Sequence, residues 1–543
     1  MTHKAFLLGM ALFGAVCTLN AAPHRAKLLH YGWDMTNPRQ LREHWREMEA
    51  TMPFDGVILP LTNIDGWAAS LYMWDGNSWP DDLFDSAVKD LQSCEFQRFT
   101  DNFAMVSVSP GPMDWFDDAA WNNLAAKFGI LAKAAKAARL KGICFDPEPY
   151  EKFNWSYNPE WGRSFEEVQT VARSRGRAIM AAIAAEYPDM TFMAFWMLST
   201  TGCRAGQPDP IYGLYCAFID GLWDSVPPEM TVVDGCEGGY CLNTQSGTLR
   251  TVQSIHREHS DWVSPENRAK YRRQISAGFG FYMDAYLPPR WFAKGDATLT
   301  TLFHNMNYLL SSADEYVWFY GEQFRMFSPE NPDSAWETKL PGLDMALRMA
   351  RHPEDYVAEL ERKGAEGAIP NHWPNPAFEM AGKGKEDGVI RSDFVQSEVL
   401  PSGYSAWFES GVENFSLVKV ADGRMELLSG DIVVIASMPV TGGSVYSITV
   451  PFHGAANAFL EGHVGLQNAS GAWIEQDNAM RELRGGTPEE RRLHLLIGPM
   501  PDAATQLLVL VRRRGAEDLG PVSFDHPVAY CLDDLLLPAP AAK

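Results

Sequence analysis

Positive charge is scarce in this chain: 46 Lys and Arg stand against 69 Asp and Glu, for a formal net charge of −23. That balance argues against nucleic acid and anionic membranes as partners, because both are held by clustered bases. A neutral or cationic ligand fits it better. Cysteine offers no framework either, since the eight residues are dispersed without repeated spacing and define neither a disulfide scaffold nor a zinc site. Cys236 and Cys241 are close enough in sequence to pair. His30, His256, His259 and His304 show no metal-ligand spacing, so no metal and no cofactor is expected. No glycine-rich dinucleotide fingerprint follows the first strand-like run, which counts against a Rossmann sheet.

Long apolar runs are also missing, apart from Ala5 to Val16. This segment follows Met1-Thr-His-Lys4 and precedes the small-residue stretch Leu19-Asn20-Ala21. It reads as an export signal over residues 1–21, giving a secreted or periplasmic protein with no membrane insertion. Cys17 is preceded by Gly14-Ala15-Val16, a poor lipidation motif, and simple secretion is the expectation.

From Lys27 to about Met349, eight β-type runs alternate with amphipathic stretches: Lys27–Trp33, Gly56–Leu61, Ala104–Ser109, Gly142–Asp146, Thr191–Leu198, Thr231–Asp234, Gly280–Met283 and Tyr316–Tyr320. Nearly continuous apolar strands separated by helices are what a covered parallel sheet requires. Ser164 and Glu167 form a capping box before one helix, and Asp296 is a plausible N-cap for another. Eight such units predict an α/β chain, a closed (β/α)₈ barrel over residues 24–364. Pro370, Pro374 and Pro376 mark a linker near 365–375, after which short alternating strands without helices predict a β-sandwich over 376–543.

In such a barrel the reactive groups sit just beyond the C-terminal strand ends. Glu148 follows the fourth run in "GICFDPEPY", Asp234 and Glu237 the sixth in "VVDGCEGGY", Asp284 the seventh and Glu322 the eighth. Carboxylates crowded at one mouth repel each other, a cost that points to use. Paired carboxyls in unlike environments are what cleavage of a glycosidic bond needs. Glu148 and Glu237 are the leading pair; Asp146, Asp234, Asp284 and Glu322 are further catalytic or substrate-orienting candidates, although loop acids also cap helices and orient neighbours. The glycines around Glu237 allow close backbone approach to a ligand.

The same loops carry Trp67, Trp74, Trp79, Trp115, Trp121, Trp155 and Trp161. Indole faces stack on sugar rings, so Trp33, Trp74, Trp115, Tyr150, Trp155, Trp196, Tyr240, Tyr282 and Trp318 are the candidate substrate-binding aromatics. Two other readings stand beside a secreted glycoside hydrolase. One is a glycan-binding surface protein lacking a working acid pair. The other is a metal-dependent hydrolase using Asp146, Glu148 and Asp234 as ligands.

Residues 24–350 resemble TIM-barrel glycoside hydrolases, and "GICFDPEPY" resembles the fourth-strand signature of chitinase-like barrels, which ends in Asp-x-Glu. The resemblance implies Glu148 as proton donor and Asp146 as the residue orienting a substrate acetamido group; Cys144 stands where that family has an earlier acid. Glu148 also fits the broader retaining pattern, whose nucleophile lies on strand seven, where this chain has Asp284. The strand-end motifs are similar to those of uncharacterised secreted bacterial barrels. Residues 370–543 resemble a carbohydrate-binding jelly roll, with "NPAFE" at 375–379 as its opening and "CLDDLLL" at 531–537 as its final strand.

Overall fold

The computed structural model describes residues 25–150, 155–199, 211–287, 298–379, 395, 397, 399–455, 458–474, 483–484, 491–514 and 520–537. The expected export signal and Asp296 lie outside them. A nine-segment parallel sheet dominates the N-terminal part, formed by β1 (Lys27–Gly32), β2 (Gly56–Pro60), β3 (Phe103–Ser107), β4 (Gly142–Asp146), β5 (Thr191–Ala194), β6 (Thr231–Asp234), β7 (Ile275–Ala277), β8 (Phe279–Tyr282) and β9 (Tyr316–Gly321). The order is β7-β6-β5-β4-β3-β2-β1-β9-β8. Since β7 and β8 are consecutive, separated by Gly278 alone, they are two halves of one kinked strand. The first half pairs with β6 and the second with β9, so the sheet closes as an eight-stranded barrel through the covalent chain.

Gly278 permits the kink. Its N–H donates to the Asp234 carbonyl at 2.8 Å, and a Cβ there would lie 3.0 Å from the Tyr316 carbonyl oxygen. Every residue of β2, β3 and β4 is buried, as expected of strands covered on both faces. Burying each large aliphatic side chain contributes about 1.5–3 kcal/mol, which is what holds so short a set of strands together.

The helices obey local rules. Ser164 and Glu167 close the expected capping box at the start of Phe165–Glu186. Asn37 and Gln40 form another before Pro38–Thr51. The helix Leu299–Ser312 is capped by Thr298, whose side chain accepts from the Thr301 N–H. Among the described residues no helix is long and apolar enough to cross a membrane.

The C-terminal part is antiparallel. One sheet runs through Tyr404–Phe408, Ile432–Pro439, Gln506–Arg514, Phe459–Gln467 and Leu483–Arg484. The other runs through Val418–Ala421, Arg424–Leu427, Val522–Asp525, Tyr446–Gly454 and Arg492–Ile497, with Val528–Cys531 also on Tyr446–Gly454. Their inner faces share one apolar core. The "CLDDLLL" segment differs from its expected form: the last strand ends at Cys531, and Leu532–Leu535 is a 3₁₀ turn. Trp373, expected in a linker, is buried in the sandwich core and donates its indole N–H to the Tyr404 hydroxyl at 2.7 Å.

The two parts are joined by polar and apolar contacts. His304 on the barrel helix Leu299–Ser312 meets Asp533 at 2.7 Å, and the Ser444 hydroxyl donates to the same carboxylate oxygen at 2.7 Å. Val445, Tyr530, Leu532 and Leu535 belong to the barrel's apolar cluster.

Candidate active site

Strand β4 delivers the acids because its Pro-punctuated end leaves the sheet at once. Asp146 is its last residue, and Pro147 cannot donate a hydrogen bond to continue the ladder. The Asp146 carboxylate accepts the Glu148 N–H at 2.9 Å, which turns the chain so that Glu148 lies beside it. Burial drives the Asp146 carboxyl well above the usual carboxylate range, and the charges of Glu148 and Glu237 push it further. Tyr150 completes this corner, its hydroxyl bonding the Glu148 carboxylate. Cys144 lies inside the barrel below, with burial and Asp146 both raising its thiol.

Glu237 enters from β6. Its backbone N–H donates to the Phe195 carbonyl at 3.0 Å, and the 3₁₀ turn Glu237–Cys241 carries it over the barrel mouth. Burial first, then the charge of Glu148, raise its carboxyl to about 7. Glu148 and Glu237, far apart in sequence, therefore share one electrostatic environment. The flanking glycines have another purpose than ligand approach: a Cβ at Gly239 would meet the Gly280 carbonyl at 2.5 Å, so this turn needs glycine to pack on β8.

Asp234 stands elsewhere. Fully buried, it accepts from the Ser199 hydroxyl at 2.5 Å and the backbone N–H groups of Leu198, Ser199 and Cys236 at 3.0, 3.1 and 3.2 Å. Four donors leave it tying the β5 and β6 loops together. Asp284 is also fully buried; one oxygen accepts the Glu322 N–H at 2.8 Å, while the other has no hydrogen-bond partner. Glu322 is half-buried and bonded to the Tyr320 hydroxyl, and no ion pair joins it to Arg325 among the described residues. The trio Asp146, Glu148 and Asp234 is not gathered as a ligand set: among the described residues no group of three or more His, Cys, Asp and Glu is placed to hold a metal ion.

The aromatic expectations divide sharply. Trp74, Trp115, Trp155, Trp196 and Trp318 are buried, and this corrects their reading as open sugar platforms. Trp74 stacks on Phe145 and meets Trp121 and Trp155 edge-on, with centroids 5.9–6.0 Å apart. Trp115 lies over Trp121 at 4.9 Å. These tryptophans form a plug between the strand-end loops and the outer helices. Trp318 stacks on Phe195 at 4.2 Å and donates to the Gly235 carbonyl at 2.7 Å, within the barrel. Tyr282 is buried as well, 5.3 Å from half-buried Tyr240. Trp33 and Tyr150 are exposed, with Trp33 hydrogen-bonded to the Tyr320 hydroxyl. Cys236 and Cys241, five positions apart, are both free thiols.

Two residues absent from the sequence expectations, Tyr31 and Tyr320, belong here. Tyr31 on β1 is buried within 5.4 Å of Tyr320 on β9, and the charges of Asp146 and Glu148 both act on it. Tyr240, in turn, feels Glu237, Tyr320 and Tyr31. The signal was present: Tyr31 and Tyr320 are polar-tipped residues in otherwise apolar strands, and Tyr320 lies two positions from Trp318 on the same face. The mouth thus holds a carboxyl cluster set on tyrosines.

No protein-family model matches the chain, and no curated protein matches it. Among solved structures, a protein described as an alpha-L-fucosidase of Bacteroides thetaiotaomicron aligns over 95% of this chain and 99% of its own, at 9% identity and a TM-score of 0.32. A glucosidase of Croceicoccus marinus aligns over 91% and 96%, at 9% identity and a TM-score of 0.35. A xylan-binding module covers 24% of this chain and 91% of its own, at 12% identity and a TM-score of 0.18. At these values no activity is transferred from them, and the chemistry rests on the residues themselves.

Proposed function

We propose that this protein is an exported hydrolase of glycosidic bonds in an oligo- or polysaccharide or glycoconjugate, with Glu148 and Glu237 as the acting carboxyls. The observation that carries the reading is the Glu237 carboxyl, raised to about 7 beside Glu148. A proton donor poised near neutrality next to a second carboxyl is the arrangement that this reaction uses. The sequence favours Glu148 as general acid/base; the raised carboxyl of Glu237 favours exchanging the roles, so that Glu237 gives its proton to the leaving oxygen. Glu148 attacks the anomeric carbon, or draws a proton from the water that does. Either course consumes one water per bond broken and returns both groups to their starting states.

Asp146, buried and bonded to the Glu148 N–H, fixes the corner that presents Glu148 and acts as a positioning residue. The tyrosine hydroxyls supply neutral donors to sugar oxygens, in keeping with an uncharged ligand. We assign the catalytic unit to residues 24–364, the linker to 365–375 and a glycan-binding or bracing sandwich to 376–543, with export directed by residues 1–21. The binding-only reading requires that no second carboxyl act with Glu148, and the effect of the Glu148 charge on Glu237 weighs against it.

The test is a hydrolysis screen of the purified protein against a broad glycan panel, repeated with Glu148→Gln and Glu237→Gln. Release of reducing ends by the wild type and its loss in both variants is the expected result. Glycan binding without hydrolysis by the wild type would instead select the binding protein.

A further inference from the structure

Among exposed large apolar side chains, Trp33, Ile64, Trp67, Tyr72, Tyr150 and Ile211 all lie on loops leaving the C-terminal ends of barrel strands. Within this rim, Trp67 and Tyr72 are distinctive. Their rings are nearly parallel, 15° apart with centroids at 5.9 Å, yet they remain 49% and 42% exposed. A paired aromatic surface left to water usually has a partner that covers it.

The chain holds this surface rigidly. Asn63 closes the loop: its side-chain oxygen accepts the N–H groups of Asp65 and Trp67 at 3.0 and 2.9 Å, and its own N–H donates to the Trp67 carbonyl at 3.0 Å. Gly66 supplies the left-handed turn, at φ +85°. Below, the Leu61 N–H donates to the Ser70 hydroxyl at 3.0 Å, and the Ser107 hydroxyl donates to the Leu71 carbonyl at 2.7 Å. Ser107 is the register partner of Asp146 on β4. The two rings are therefore anchored to the strand end next to the one that carries the acids, while standing outside the acid cluster. Among the described residues no cation lies over either ring, and the neighbouring acid Asp65 is exposed.

We infer that Trp67 and Tyr72 form an outer subsite that stacks on an uncharged sugar ring of a chain whose other end lies at Glu148 and Glu237. The ligand is then an oligosaccharide rather than a single glycoside; the placement of the cleaved bond rests on the hydrolase reading above, whereas the stacking does not. The flat apolar face of a sugar ring matches the paired rings, and its equatorial hydroxyls find acceptors such as Asp65. Pre-organisation of the loop spares the ordering cost that a mobile tryptophan would incur.

The experiment is calorimetric titration of the full chain with neutral gluco-, manno-, galacto-, xylo- and chito-oligosaccharides of one to six units, on wild type, Trp67→Ala, Tyr72→Ala and Trp67→Phe. Affinity rising with chain length in at least one series is expected, with a fall of about tenfold in Trp67→Ala for the longest oligomer, partial retention in Trp67→Phe and no change for the monosaccharide. Unaltered melting temperatures show that the loop has kept its fold. Binding independent of length, equal binding by Trp67→Ala, or no binding by any series overturns the subsite. So does a change in self-association on sedimentation in place of a change in affinity, which would make the rings a protein contact. Length-dependent, Trp67-dependent binding without any hydrolysis would remove the enzyme reading and leave the subsite; hydrolysis with Trp67-independent binding would do the reverse.

Discussion

Two sets of carboxylates in the same barrel are driven in opposite directions. On the outer helices, Asp224 is gripped by Arg173 at 2.7 and 2.9 Å, by Arg177 at 2.5 and 2.9 Å and by Asn267 at 2.9 Å, and its carboxyl is held far below the ordinary range. At the strand ends Asp146 and Glu237 are raised, by burial and by each other's neighbours. The fold has guanidinium groups to spend where stability is wanted. Among the described residues no cation acts on Asp146 or Glu237, and burial beside other carboxyls favours their protonated forms, at a cost in folding energy wherever they ionise.

The contrast can be broken most severely at the mouth. Glu148→Gln and Glu237→Gln should each lower kcat on a hydrolysed glycan by about 10³-fold or more, since removing a positioned proton-transfer group typically costs 10²–10⁴-fold. Wild-type turnover in either variant would dissolve the proposed pair.

Next in size is the pH dependence. With Glu237 as proton donor, kcat/KM should fall about tenfold per pH unit above about 7. A profile flat from pH 6 to 9 would deny it that role.

Arg173→Ala sharpens the other side of the comparison. Loss of its bonds to Asp224 should lower unfolding free energy by about 1–2 kcal/mol in urea titrations, because the network is only partly shielded from water, with turnover unchanged. A depressed carboxyl contributes stability that is present above its ordinary value of 3.8 and is lost as pH falls, so the variant's deficit should shrink in acid.

A stability effect of similar size has the opposite sign. Glu237 is raised from 4.5 to about 7, so its contribution is intact below 4.5 and is lost as pH rises through about 7. A glutamine cannot ionise; Glu237→Gln should therefore be about 1–2 kcal/mol more stable than wild type at pH 8 and indistinguishable from it at pH 4, by the same titration.

Some of this was legible before folding. The apolar runs of β1 to β6 and β9 stand where their composition placed them, because fully buried parallel strands have a local signature. Strand seven was seen only from residue 280. Its first half, Ile275–Ala277, follows directly on the helix Pro265–Gln274 without a turn signal, and the kink at Gly278 divides the pattern. The tryptophans misled for a different reason. Trp74, Trp115 and Trp155 do occupy strand-end loops, but those loops fold back over the helices and bury them, which no local pattern records.

The sequence by itself determined the barrel's strand and helix periodicities, the antiparallel pattern of the C-terminal part and the residue types at the strand ends, since each is written in neighbouring positions. Only the tertiary structure decided which acids feel one another's charge. Glu237 reaches the field of Glu148 because β4 and β6 both pair in parallel with β5 and so end on the same edge of the sheet, while Asp234, three residues earlier, is consumed by four loop hydrogen bonds. Charge coupling and burial depend on distance through space, and distance along the chain carries almost none of that information.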